Sequence, residues 1–345
     1  MKMNTDTILS FNKTQDNWFD RVSKEMNRYL PLIIFIFGVI GNILNIFVLS
    51  QRNLRSNACG WLFLMASIAN LISILFGLIT RILLGWTTDP TETISWICKL
   101  RTFTVFSSRT IGFWLLAFAT IDRWLLSSTE ANRRKRSTLK NAYYGTIIIV
   151  IISICLYAQM VVCYEANLIG TPLKCYSKNL ACRYSTDLVY ALVTILSPLS
   201  VMFLFGLLTI LNIQQSHQRT RRVIHDRLIH NLTLSSTDTT LRQQQKKTDR
   251  YLLFMLFSQT ILLALFTIPQ AIYRIYSTVI DQNVLLTRSS LESFIYNFVL
   301  LLSFIANGMP FYIYTLSSPL FRRIFLDRLK EYSLKVCHPI KKIFK

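Results

Sequence analysis

Acidic residues are scarce in this sequence and histidine is scarcer. There are 17 Asp and Glu against 38 Lys and Arg, and only four His. Charged residues make up 16% of the 345 positions, less than a soluble protein normally carries. His217, His225, His230 and His338 all lie in polar segments. A zinc-dependent membrane hydrolase needs His and Asp inside its apolar segments, so that enzyme class is set aside and no metal or cofactor is expected. The last apolar run has no Lys, which removes a light-driven retinal protein. Paired repeats, Gly-rich broken spans and acidic relay residues, the marks of a transporter, are also missing. The first 28 residues lack the apolar core of a cleavable signal peptide, so the first span is expected to act as its own insertion signal.

Apolar residues, by contrast, make up 52% of the chain, and the mean hydropathy is +0.39. They fall in long runs of the length a helix needs to cross a bilayer, about 20 residues. They do not alternate with polar residues as barrel strands do. Seven runs are read as spans: Tyr29 to Leu49, Trp61 to Leu84, Ile94 to Leu126, Ala142 to Val162, Leu188 to Ile213, Tyr251 to Tyr276 and Leu291 to Leu316. The expected fold is an all-α membrane protein, a seven-transmembrane helix bundle. Lys and Arg cluster in the segments after spans one, three, five and seven, and the net charge is +21. That placement follows the positive-inside rule rather than nucleic-acid binding, and puts those segments in the cytoplasm. The reading divides the chain into an extracellular segment 1–28, a membrane domain 29–316 and a cytoplasmic tail 317–345. Asn12-Lys13-Thr14 is a glycosylation sequon on the extracellular side. The loop 214–247 is polar and basic and is expected to be mobile, with helical extensions at both ends. In the tail, Phe321, Ile324, Phe325 and Leu329 share one helical face and basic residues fill the other, predicting a short amphipathic eighth helix on the inner leaflet. Cys337 is either a palmitoylation site or an ordinary cytosolic thiol.

Seven spans do not name a function. The discriminating residues are Asp122-Arg123-Trp124 at the inner end of span three, with Cys98 near its outer end. Together with Gly41-Asn42, the run Leu64 to Leu71, Pro198, Pro269 and Phe321-Arg322, these positions resemble the rhodopsin-like G-protein-coupled receptors, over Tyr29 to about Lys330. Within that family the chain is similar to invertebrate neuropeptide receptors of the FMRFamide-like kind. The resemblance implies a plasma-membrane receptor, N-terminus outside, whose partners are a heterotrimeric G-protein, an extracellular peptide or other ligand with an anionic group, and membrane lipid. The competing class is a multi-span transporter or a non-signalling membrane protein. Several positions depart from the family pattern. Asn70 stands where Asp is usual, which removes the main charge of the family's internal sodium site. Thr267 stands where a Trp is usual, and Pro310-Phe311 where Asn-Pro is usual before Tyr314.

The resemblance also assigns roles. Asp122, Arg123, Asp249 and Tyr314 become the coupling and switch residues. A guanidinium at a helix end is costly to leave unpaired. Asp249 lies 20 residues before Pro269, about 30 Å along a helix, which brings it level with Arg123. It either pairs with Arg123 at rest or caps its own helix. By family spacing Cys98 pairs with Cys175, leaving Cys163 and Cys182 for a second bridge. The alternative is Cys98 with Cys182. Cys59 and Cys155 are read as packing residues. For the ligand pocket, Arg109 lies 11 residues inside Cys98, roughly 16 Å down the helix, with no acid within a turn. Arg81 and Arg274 either face the same cavity or snorkel to headgroups. Val105, Gln270, Tyr273, Tyr296 and Asn297 complete the expected lining. Val105 occupies the place where amine receptors carry Asp, which turns the reading from an amine towards a peptide.

Overall fold

The computed structural model describes residues 5–86, 90–168, 174–229, 236–279, 290–319 and 321–331, with side chains except at 5–17, 53, 84, 217, 219–229, 236–254, 290 and 293. Asn12 and Asp249 fall on undescribed side chains, and Cys337 lies outside the described residues altogether. Each apolar run is mostly helical. The long helices are α1 (Thr5–Leu49), α2 (Ala58–Trp86), α3 (Ser95–Ser127) and α4 (Leu139–Tyr157). Next, α5 runs as Leu180–Val189, a π-helical turn Tyr190–Leu196 and then Ser197–Ile229. They are followed by α6 (Ser236–Val279), α7 (Ser290–Gly308) and α8 (Pro310–Ser317). Six helices are long and apolar enough to cross a membrane, and the pair α7 and α8, bent by 52°, makes up to seven. The chain has the architecture of a multi-span helical membrane protein.

The structure departs from the expected boundaries in three places, each with a local cause. First, α1 starts at Thr5 rather than Tyr29. Residues 5–30 contain neither Gly nor Pro, and Asp20/Lys24 and Arg21/Glu25 fall at helical i,i+4 spacing, so nothing in the polar stretch stops the helix. Second, α5 changes pitch just before Pro198. Proline cannot donate to the carbonyl four residues back. The turn widens instead, so that the Ser197 amide donates to the Leu192 carbonyl, five residues back. The Val193 carbonyl accepts from Trp114 Nε1 at 3.0 Å and Ser197 Oγ at 2.9 Å. Third, the last span is two helices. Met309 ends the regular ladder and Pro310 takes the first position of α8, where its missing N–H costs nothing.

Helix α3 is the axis of the structure. It packs against α2, α4 and α5, and 67% of its apolar window is buried against 28% for α4. The outward faces are apolar: Ile33, Ile36, Ile40 and Ile43 of α1 and Ile147, Ile148, Ile151 and Ile152 of α4 are all exposed. In water that much contiguous exposed hydrocarbon is unsustainable, and in lipid it is the ordinary surface. Cys155 is exposed on α4 and Cys59 is buried. After α8, residues 321–331 are helical, with Phe321 buried and Leu326 and Leu329 exposed.

At the Cys98 end of α3 a two-stranded antiparallel hairpin, β1 (Tyr164–Glu165) and β2 (Tyr176–Ser177), covers the helices with Tyr164 opposite Ser177. Two disulfides fix it, Cys98–Cys175 and Cys163–Cys182. The alternative pairing of Cys98 with Cys182 is thereby excluded. The bridges differ in span, 77 residues against 19. Loop-closure entropy then makes Cys98–Cys175 the more valuable by on the order of 1 kcal/mol. Thermal unfolding of Cys→Ser pairs in detergent should show the larger loss for Cys98/Cys175; equal losses would contradict this account.

Candidate functional site

Between the hairpin and the helix ends lies an open cleft. Its walls come from α2 (Gly77, Arg81), α3 (Arg101, Val105, Phe106), the hairpin (Tyr164, Tyr176), α5 (Asp187), α6 (Tyr273, Arg274) and α7 (Tyr296, Phe304). Of the expected lining, Arg81, Val105, Tyr273, Arg274 and Tyr296 are brought together. Gln270 and Arg109 are not on the wall and sit deeper.

The arginines do not snorkel. Arg81 is buried and donates to Asn297 Oδ1 at 3.0 Å. Arg274 forms an ion pair with Asp187 Oδ1, and its guanidinium lies over the rings of Tyr190 at 4.6 Å and Phe106 at 4.9 Å. Asp187 Oδ2 accepts from Thr278 Oγ1 at 3.2 Å and lies 3.9 Å from Arg183 Nε. This ion pair ties α5 to α6. Asp187 was missed because it lies one residue before the apolar run began at Leu188, yet its i,i+4 spacing from Arg183 is visible in the sequence. Arg101 was missed as well. It reaches Gly77 O at 3.3 Å and Thr91 Oγ1 at 3.4 Å.

On the hairpin, burial pushes the Tyr176 phenol up to about 12, so it stays neutral at any physiological pH. Lys178, hydrogen-bonded to Glu165 with a 2.7 Å ion-pair distance, holds that carboxyl below its usual range. Lys174 pairs with Glu92 at 3.0 Å. Asn167, in the left-handed region at φ 59, bridges from the same loop to the Glu92 and Thr93 carbonyls.

Below the cleft the Arg109 side chain is 2% exposed. Its Nη1 donates to Tyr190 Oη at 2.6 Å, Ser303 Oγ at 3.0 Å and Gln270 Oε1 at 3.2 Å. Tyr190 Oη in turn donates to Gln270 Oε1 at 2.8 Å. Four helices, α3, α5, α6 and α7, therefore meet on one guanidinium. The Phe304 ring lies 4.4 Å from it and also forms part of the cleft wall. Further down, Asn45 donates to Ser67, and Asn307 to Ser73, joining α1, α2 and α7. Asn70 is buried there, with its amide oxygen against Gly112.

At the other end of α3, Asp122 is buried and accepts from Ser137 Oγ at 2.5 Å. The Trp124 ring packs on Phe205 and lies 5.5 Å from the Arg133 guanidinium. Tyr314 is buried, and its hydroxyl donates to Gln259 Oε1 on α6 at 2.8 Å. Among the described residues no group of three His, Cys, Asp or Glu is arranged to hold a metal.

The Asp187–Arg274 pair yields a prediction. Asp187→Asn leaves Arg274 buried without its carboxylate and should cost about 3–5 kcal/mol; Arg274→Gln leaves Asp187 with Arg183, 3.9 Å away, and should cost less, and the double variant clearly less than the sum of the two. Thermal unfolding in detergent measures this, and additive losses would dissolve the pair as an energetic unit. Neither a protein-family model nor any curated protein matches this chain.

Proposed function

We propose that the chain is a rhodopsin-like G-protein-coupled receptor of the plasma membrane, with the Cys98 end outside and the Arg123 end in the cytoplasm. One observation carries the reading. A single buried helix, α3, is disulfide-tied beside an arginine-rich cleft at one end and carries Asp122-Arg123 at the other. Between the two ends it holds α5, α6 and α7 through Arg109. The count of up to seven crossing helices and the positive charge on the Arg123 side support it. On this reading residues 321–331 form the amphipathic eighth helix on the inner leaflet, and the protein is a signalling partner rather than an enzyme.

The ligand enters the cleft from outside. Three arginines and one aspartate lie on its wall, and four aromatic rings of Tyr164, Tyr176, Tyr273 and Tyr296 surround them. That surface suits a peptide or other ligand offering both an anionic group and apolar area. The Asp187–Arg274 pair is the contact an anionic ligand competes with, because its carboxylate takes the place of Asp187 on Arg274. Loosening α5 from α6 frees α6 to swing outward at its cytoplasmic end. Arg123 then leaves Asp249 and meets the G-protein, and the Tyr314–Gln259 bond, which joins α8 to α6, breaks in the same movement.

A second reading, a multi-span transporter, draws on the break between α7 and α8, since discontinuous helices often line transported substrates. The two readings separate in one assay. Membranes carrying the chain and a heterotrimeric G-protein should speed nucleotide exchange when neuropeptide and small-acid libraries are added. Solute flux without exchange would favour the transporter. Within the receptor reading, Asp249→Ala should raise ligand-free exchange several-fold, and an unchanged basal rate would remove the Arg123–Asp249 lock.

A further inference from the structure

Arg109 carries a charge that the described residues leave unanswered. All of its hydrogen bonds come from one nitrogen, Nη1, whose two hydrogens serve three acceptors. Nε and Nη2 donate to nothing. These two nitrogens share the other edge of the guanidinium, where two N–H bonds run parallel. That edge is the one that takes a carboxylate or other anion in bidentate fashion. No carboxylate among the described residues pairs with Arg109, and the nearest acid described in the cleft, Asp187, is held by Arg274. A guanidinium does not escape by losing its proton. The three charge-assisted hydrogen bonds and the ring face offset part of the cost of burial, but they bring no counter-charge and leave two donors unused.

The surroundings also limit what can answer it. Arg109 is enclosed, and the Phe304 ring stands between it and the cleft. The far side of that ring rests on Gly77, where a Cβ would collide with the ring carbons. Glycine at that position leaves the ring its space. One positive charge with one unused two-donor edge calls for one negative charge that fits that edge.

We propose that the Nε and Nη2 edge of Arg109 is a binding site for one small monovalent anion, a halide or a carboxylate head group, reached from the cleft past Phe304. The site goes beyond the receptor reading and stands without it. The bound anion neutralises the centre of the protein, so the folded state binds it and the unfolded chain does not. Stability then depends on the anion supplied.

The test uses the purified full chain in lipid nanodiscs with no G-protein present, so its result is separate from that of the exchange assay. Radioactive chloride binding and thermal unfolding are measured in sodium chloride, sodium acetate and sodium gluconate, the last being too large for the site. The proposal expects about one chloride per chain and a midpoint about 2–4 °C higher in chloride than in gluconate. Acetate that displaces the chloride and raises the midpoint as much identifies the site as one for a carboxylate supplied by a ligand. Acetate without effect identifies a resident inorganic ion. Arg109→Gln should lose both the binding and the salt dependence. Arg109→Lys keeps the charge without the parallel N–H edge, so it should bind chloride more weakly while still folding. No bound chloride, no displacement and equal wild-type midpoints in all three salts would overturn the site. So would an Arg109→Gln variant that folds and binds chloride as the wild type does.

Discussion

A single buried guanidinium organises the middle of this protein. Apolar helices in lipid gain little from hydrophobic burial against one another, because the acyl chains are as apolar as the side chains. What selects one arrangement of α3, α5, α6 and α7 is the need to surround Arg109 with acceptors. Tyr190, Gln270 and Ser303 each come from a different helix and converge on the same nitrogen. Moving any of these helices by one turn would leave Arg109 with fewer acceptors in a place where water cannot replace them. The charge thus acts as a register pin, and the cost of burying it is the reason the register is strict.

The breaks in the helices lie next to this pin. The π turn of α5 begins at Tyr190, the residue that holds Arg109, and contains Thr194, which bonds to both Thr110 of α3 and Tyr157 of α4. Pro198 makes the wider turn favourable, and the wider turn rotates Tyr190 and Thr194 inward together. On α7, Ser303 and Phe304 precede the break at Pro310 by less than two turns. Prolines in these helices set where the backbone loosens, and polar side chains nearby take up the hydrogen bonds so released.

Much of this was legible in the sequence. The long apolar runs gave the helices because lipid demands internally satisfied backbone. The charges of the polar segments and the spacing of Cys98 to Arg123 marked the two ends of α3. Arg109 was marked by its depth alone, since a cation that far from either end cannot reach water. What sequence reasoning missed depended on which faces meet. Tyr190 is unremarkable in its own helix, and only the fold makes it a neighbour of Arg109 and Gln270. Asp187 was hidden by a boundary: a run defined by hydropathy ends where the first charge appears, and the ion pair is made by that very charge. Arg81 and Arg274 looked free to snorkel because their partners, Asn297 and Asp187, lie on other helices. The bend at Pro310 was visible as a departure from the family pattern, but its size depends on how α8 packs on α6.

The placement of two glutamines on α6 suggests how the two ends of the protein communicate. Gln270 binds the Arg109 hub, and Gln259 binds Tyr314. Eleven residues separate them, which is three turns of helix, so both face the same side about 16 Å apart. Pro269 sits beside the upper one, and Thr267, two residues earlier, returns its hydroxyl to the Leu263 carbonyl at 2.7 Å. A helix weakened there by proline and by back-bonding threonine bends most readily between its two anchors. With both glutamines engaged, α6 is tied to the inner helices at two levels. With the upper bond altered by a change in the Arg109 cluster, the bend concentrates at Pro269, and the strain falls on the lower bond, a single neutral hydrogen bond. Such a bond contributes only about 1 kcal/mol net, so a modest change at the hub is enough to decide whether it survives.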